Sequence, residues 1–580
     1  MKIKAVSGIM LTLALLTSML TLAFNIQLIK ASDQIIYIRQ SGKVEPSNAS
    51  IKRSGKVYTL TDNINGSIVV EKNDIMIDGA GYTLQGTGAV PSKGISISER
   101  SNVVIKNLEI KTFYYGIYLS ESSTNTIQGN NITNNFCGIH LEYSSNYNSI
   151  YGNNIKSNIM NAYMQCGIYL YMSSENSISD NNLTDNYYGI RLEVSSDNTF
   201  RNNSIANNKY NFLVSGGPVS DFVNDVDASN TVDGKPIYYW ISKQDMSVPL
   251  DAGYVALINC TRITVQNLNL SNNGQGLLLA HTTNSTITKN TVANNQYGIN
   301  LVFSSNNVIS ENNVANNTRG VSLGSQGNQN TVSGNNITNN ESGISLSSSS
   351  DNFISGNNIT NNEYGIEFRG SSDNKFYHNT FISNTKQVFD WSWDGHAPDY
   401  PQSINIWDDG YPSGGNCWSD YTGVDNNGDG IGDTPYVIDS DNTDRYPLIT
   451  SFITSEDTTS PTISILSPEN KSYPINNVLL TFTVSESTSW IGYSLDGQMN
   501  VTITGNTTLS ELSDGSHSLI VYTNDTAGNM GYSESVYFSA RTGIEPQQAQ
   551  SILMWIVAAI AIITSIVALV VYFAKFKKII

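Results

Sequence analysis

The sequence is poor in ionisable groups, in imidazole and in sulfur. Charged residues fill only 14% of its 580 positions, and 31 Lys and Arg stand against 49 Asp and Glu, for a net charge of −18. That shortage of positive charge argues against nucleic acid as a partner, because phosphate backbones demand basic patches. It suits a solvated extracellular surface. The five histidines, His140, His281, His378, His396 and His517, are scattered, so they do not spell out an imidazole-rich metal centre. Aromatic residues, by contrast, make up 10%, with 32 Tyr. A disordered chain would carry fewer, so most of this one folds, and its length exceeds a single compact core.

Long apolar runs are confined to the two ends. Residues 1–32 open with Lys2 and Lys4 and run apolar from Ala5 to Phe24, the pattern of a signal peptide or an uncleaved N-terminal anchor. Residues 552–574 are long enough to span a bilayer as a helix. Lys575, Lys577 and Lys578 follow at once, so residues 575–580 are expected in the cytoplasm and everything before the span outside. Sequons at Asn131, Asn182, Asn269, Asn336, Asn358, Asn500 and Asn524 fit an external glycoprotein.

Between these ends the sequence repeats. Gly94, Gly116 and Gly138 fall 22 residues apart, and Gly167, Gly189, Gly276, Gly298, Gly320, Gly343 and Gly365 carry the pattern on. Each unit has three short apolar segments: the I-x-L after the glycine, a second at Ile127, Ile178 or Ile354, and a third at Ile132, Leu183 or Ile359. Alternation and β-branching predict three short strands joined by Asn, Ser and Gly turns. One such coil cannot bury its apolar face; stacked coils can, as a parallel β-helix. Asn130, Asn181, Asn203, Asn290, Asn312, Asn357 and Asn379 share one offset, so stacking predicts a column whose amides hydrogen-bond up and down it.

The β-helix is assigned to residues 33–450, all-β, with 217–252 as an insertion bulging from the rod and 387–450 as an acidic, aromatic cap. Residues 461–540 read as a β-sandwich, and 541–551 as a linker to the membrane helix.

The units "GIYLSESSTNTIQGNNITNN" and "GISLSSSSDNFISGNNITNN", with "IMIDGAGYTLQG" before them and "GIGDTPYVIDSDNTDRYPL" after, resemble the NosD-like right-handed β-helix proteins. These are similar to the carbohydrate-binding and sugar-hydrolysing β-helix repeats. The resemblance implies a bacterial or archaeal cell-surface protein and, from the founding members, copper handling. "SDGSHSLIVYTNDTAGNMG" resembles Ig-like modules of prokaryotic surface proteins.

Alternation also selects a candidate face. In G-I-x-L-x the Ile and Leu point inward and both x residues outward. The first x gives Tyr118, His140, Tyr169 and Arg191; the second gives Ser120, Glu142, Tyr171 and Glu193. Tyr rings stack on sugars while Arg and carboxylates bind hydroxyls, so Tyr118, His140, Glu142, Tyr169, Tyr171, Arg191 and Glu193 form a candidate glycan site. The same positions in later coils are bland. Glu142 and Glu193, two coils apart, stand about 9.6 Å from each other along the backbone. That separation is compatible with an inverting glycosidase, with His140 and Arg191 as accessories. The acidic motifs of polygalacturonase-type β-helices are absent. The reading is therefore a membrane-tethered surface protein that binds glycan or builds the envelope; the alternatives are a polysaccharide hydrolase or lyase, and a copper handler.

Cys137 and Cys166 each precede a unit glycine, so they stack at disulfide-compatible spacing, although in-register parallel neighbours suit disulfide torsions poorly. With His140, Met160, Met164 and Met172 nearby they are also the one local set of soft copper ligands. In "DNNGDGIGD", Asp425, Asn427, Asp429 and Asp433 sit at positions 1, 3, 5 and 9 of a calcium-type loop. Position 12 is Tyr436 rather than Glu, so a structural calcium would need a different closing ligand.

Overall fold

The computed structural model describes residues 34–158, 165–392, 401–449, 460–486, 488–498, 500–525 and 530–541. The predicted signal segment, membrane span and cytoplasmic tail, together with Met160 and Met164, lie outside them. Among the described residues no helix is long and apolar enough to cross a membrane. Two compact units divide the chain near Ile453.

The first unit is a parallel β-solenoid in the predicted register. Strands Tyr115–Ser120, Cys137–Glu142, Cys166–Tyr171 and Tyr188–Glu193 pair in parallel, so Ile117, Ile139, Ile168 and Ile190 stack inside the core. Two further sheets close each coil, with Ile127 on Ile150 in one and Ile132 on Ile155 in the other. The glycine that opens the long strand is fixed by space: a Cβ on Gly116 would meet the carbonyl oxygen of Gly138 on the next coil at 2.6 Å.

The asparagine ladder is threefold. Alongside the expected column, here Asn130–Asn153–Asn181–Asn203–Asn230, run Asn125–Asn148–Asn176–Asn198–Asn224 and Asn135–Asn158–Asn186–Asn208. After the first asparagine of a column, each side-chain oxygen receives a backbone N–H and an amide N–H from the coil before it. Asn153 Oδ1, for instance, accepts from Asn130 N and Nδ2, both at 3.0 Å. Burial makes every one of these bonds matter, since an unpaired buried amide is costly.

Residues 217–252 do not bulge from one continuous rod. Asp225–Val226 and Thr231–Val232 extend the stack by parallel pairing onto Thr199–Arg201 and Ser204–Ala206. A hairpin through Asp233 (φ 47°) and Gly234 (φ 80°) then turns the chain antiparallel into Lys235–Ile241. From there a second solenoid is built, beginning with Lys235–Ile241 on Tyr254–Ile258. Its first strands are apolar on both faces. Val255, Leu257, Leu277 and Leu279 enter the second core, whereas Tyr254, Ala256, Ile258, Leu278 and Ala280 pack into the first. The outer face of the second solenoid thus closes the end of the first. The apolar Leu278 and Ala280, read from sequence as a bland surface, are fully buried for this reason.

The far end of the second solenoid is closed by the acidic, aromatic region. Trp407 stacks on Phe376 at 4.5 Å, Trp418 on Phe381 at 4.4 Å, and Tyr436 on Trp418 at 4.3 Å. The strand Lys386–Asp390 still belongs to the solenoid, pairing with Tyr364–Arg369. The second unit, taken by itself, is a set of mainly antiparallel strands in two sheets around Val478, Leu480, Leu509, Leu519, Val521 and Phe538.

Candidate functional site

The outward face of the early coils carries three columns rather than two. The two expected ones are confirmed in register: Tyr118–His140–Tyr169–Arg191 and Ser120–Glu142–Tyr171–Glu193. The third holds the residues just before each unit glycine, Lys93–Tyr115–Cys137–Cys166–Tyr188, and continues to Tyr210, where Asn211 takes the glycine's place. Its signal was in the sequence, in the aromatic or cysteine that repeatedly precedes the unit glycine.

Pointing away from the core does not leave the first column open. Tyr118, His140 and Tyr169 are only 5–8% exposed, because bulky rings at one-coil spacing cover one another. The His140 ring centroid lies 4.8 Å from both Tyr115 and Tyr169. The tyrosine hydroxyls reach sideways to the carboxylates: Tyr118 donates to Glu142, and Tyr169 donates to Glu193 at 2.8 Å. Arg191 binds the same Glu193 oxygen at 2.8 Å. Lys93 sits 3.2 Å over the Tyr118 ring.

This packing sets the electrostatics. Burial, then the bond to Glu142, pushes the Tyr118 hydroxyl up to about 12; burial likewise raises Tyr115 and Tyr169. Neither His140 nitrogen makes a hydrogen bond. Glu142 Oε2 is 3.3 Å from His140 Nε2 but outside hydrogen-bond geometry, so burial dominates. Burial, with the Lys93 charge adding, holds the imidazole down to about 4 and therefore neutral.

The open part of the face lies one step along each strand. Glu142 and Glu193 keep 17% and 31% of their side chains exposed. Tyr143, 49% exposed, meets Tyr171 edge-on at 5.7 Å. Tyr143 was missed because it follows the strand, where a turn residue with φ 50° is expected to be Asn or Gly.

Cys137 and Cys166 are register partners, as the spacing predicts, yet no disulfide joins them. Of the two readings left open, the bridge is therefore not the one formed; stacked parallel neighbours aim their Cβ atoms alike, which a disulfide torsion opposes. Burial raises the Cys137 thiol well above its ordinary range, so the thiolate that a metal needs is disfavoured. Among the described residues no group of three or more His, Cys, Asp and Glu could hold a metal ion, so the two thiols and His140 do not fit a copper ion.

The later coils are not bland throughout. Glu367 is buried and accepts from the Ser342 hydroxyl and the Trp391 indole, with Arg369 at 3.2 Å and Arg319 at 3.6 Å. Burial opposes its ionisation, but Ser342 and Arg319 together hold the carboxyl below the usual range.

In the acidic loop, Asp425 accepts backbone N–H groups of Gly428 at 2.6 Å and Gly430 at 2.8 Å. Asp429 accepts from Asn427 and from the Ile431 N–H, and Asp433 from Asn426. The loop is thus closed on its own backbone around the predicted residues.

Comparison with known proteins places the fold. The family model described as Periplasmic copper-binding protein (NosD) matches residues 19–166 and 224–423, and one described as Right handed beta helix region matches 93–241. Among curated proteins, halomucin of Haloquadratum walsbyi is 36% identical over 96 residues, 15% of this chain. The chain spans about 1% of that relative's length. Among solved structures, the A-module of a mannuronan C-5 epimerase from Azotobacter vinelandii is 12% identical, with 59% of this chain and 91% of that chain covered and a TM-score of 0.22. For DFA-IIIase from Arthrobacter chlorophenolicus A6 the values are 12%, 52%, 83% and 0.24. For the tailspike gp49 of the Acinetobacter baumannii bacteriophage Fri1, a capsular polysaccharide depolymerase, they are 10%, 83%, 73% and 0.23.

Proposed function

Because the chain belongs to the NosD family, whose model covers more than half of it, we propose that it is a cell-surface β-helix protein that binds a glycan on the outer face of its early coils. The observation that carries this reading is the accessible pair Tyr143 and Tyr171 beside the half-open carboxylates of Glu142 and Glu193. Aromatic faces and fixed carboxylates are what a sugar's apolar face and hydroxyls require. The buried Tyr118 and Tyr169 and the half-buried Arg191 hold those carboxylates in place instead of meeting the ligand, with His140 packed between the rings. The apolar span 552–574 and its following lysines tether the protein with this face outside, and 461–540 is an Ig-like spacer.

Tyr143→Ala with Tyr171→Ala should weaken binding of at least one array-identified glycan at least tenfold while changing stability by no more than about 1 kcal/mol, since both rings are at least partly exposed. Unchanged binding would remove the glycan from this face. Glu142→Gln separates binder from enzyme: a binder shows no new reducing or unsaturated ends with either form, whereas a hydrolase or lyase loses product formation with the variant.

The acidic loop would take calcium through Asp425, Asn427, Asp429 and Asp433 once their side chains turn from the bonds they now make within the loop, because as placed they do not form a metal-holding group. The support is their 1, 3, 5, 9 spacing and the loop already closed by Asp425. Calcium should raise the melting temperature relative to chelator, because a ligand bound only by the folded state stabilises it. Equal melting in both, with Asp429→Ala indistinguishable from wild type, would reject the site.

A further inference from the structure

The two solenoids meet at a corner. Asn211 N–H binds the carbonyl of Asn272 at 2.7 Å, and Gly274 N–H that of Phe212 at 3.0 Å. Tyr188 donates to Gln296 at 2.9 Å, and the Tyr210 hydroxyl lies 3.4 Å from that of Thr318. Beside these contacts a cavity of about 500 Å³ opens between the turn Asn208–Tyr210 of the first solenoid and the turns of successive coils of the second. That volume falls within the range of small-ligand sites.

One wall is a column of turn asparagines, Asn294, Asn316 and Asn339, with φ of 59°, 57° and 55°. They differ from the ladder asparagines next to them in sequence. Asn295, Asn317 and Asn340 are buried and fully bonded. Asn294, Asn316 and Asn339 are exposed, and among the described residues their carboxamides make no side-chain hydrogen bond. They recur at one-coil spacing, about 4.8 Å. The facing wall is Tyr210 with Lys209, whose ammonium rests 4.7 Å from the Tyr187 ring centroid. Glu341 also lines the cavity. The lining thus holds one cation and one anion, and offers no net charge to a ligand. What it offers instead is a row of groups that each donate and accept, opposite the edge of Tyr210, whose ring face is covered by Tyr187 and Tyr188.

We propose that this corner is a second, separate binding site, for a neutral oligosaccharide whose successive units lie along the carboxamide column. Hydroxyls both donate and accept, as carboxamides do, and a neutral chain matches the balanced lining. The proposal shares only the ligand class with the reading of the early face, and stands or falls independently of it.

The test uses the full chain in detergent on an array of neutral glucose, mannose and galactose oligomers beside uronate oligomers of equal length. Asn316→Gly with Asn339→Gly removes two carboxamides and keeps the left-handed turns that glycine tolerates. Lys209→Met is a second variant on the opposite wall. The expected result is that a neutral oligomer binds and that the glycine pair weakens it at least tenfold, whereas Tyr143→Ala with Tyr171→Ala leaves that oligomer unaffected. Binding that follows only the two tyrosines would support the early face and overturn the corner. No bound neutral oligomer, or binding indifferent to both the glycine pair and Lys209→Met, would also overturn it.

Discussion

Asn312→Leu should cost on the order of 5 kcal/mol and open the second solenoid around its own coil. Asn312 Oδ1 accepts from Asn290 N and Nδ2, at 3.0 and 2.9 Å. Its amide donates to the carbonyls of Ile287 and Ser310 and to Asn335 Oδ1, at 2.9, 3.0 and 2.9 Å. Leucine fills the volume but satisfies none of these, and each buried group left unpaired costs about 1–3 kcal/mol. The adjacent Asn313 makes the control. It is exposed, and its register partner Thr291 shows that the position accepts threonine, so Asn313→Thr should stay within about 0.5 kcal/mol. Denaturation midpoints with hydrogen exchange of residues 286–360 measure both, because repeat proteins open locally. A loss below about 1 kcal/mol for Asn312→Leu would mean that the ladder is incidental to stability.

Acid should destabilise the early coils through His140, by about 3 kcal/mol between pH 7 and pH 4. The groups facing this imidazole are Lys93, Tyr115, Tyr118, Glu142 and Tyr169. Its value in the fold is depressed to about 4, against about 6.5 in the unfolded chain. Between those values the unfolded state binds the extra proton, so stability is full above about pH 6.5 and is lost as pH falls through 4. His140→Phe keeps a ring without a titrating nitrogen. The difference in stability between wild type and variant should therefore change by that amount across the window. A constant difference would show that the imidazole is protonated in place, with Glu142 as its partner.

Much of this molecule was legible because a coil repeats its instructions. Ile117 and Leu119 recur as Ile139 and Leu141, and one register fixes all the others. The asparagine offset announced a ladder for the same reason. What did not repeat was not legible. The hairpin at Asp233 and Gly234 looks like any other turn, and nothing local says that Ala256 and Leu278 will face another core. The candidate face shows the same limit. Alternation gave the direction of Tyr118, His140 and Tyr169 correctly, but exposure depends on what neighbouring rings cover, and ring volume at one-coil spacing closed the row. Cys137 and Cys166 were placed as neighbours by spacing, and the parallel register that follows from it already disfavoured a bond between them.

The corner turns coil number into a ruler. Each coil adds about 4.8 Å along its own axis and nothing across it. A whole coil gained or lost between Tyr171 and Tyr210 would slide the Tyr143 and Tyr171 platform by one such step relative to the corner, leaving every stacking contact of the same kind. A coil gained or lost between Gly343 and Gly365 would instead move the Trp407 and Trp418 plug, along the other axis. Changes in chain length of about 22 residues are thereby changes in reach, taken in fixed increments along two independent directions, and they leave the chemistry of each patch untouched.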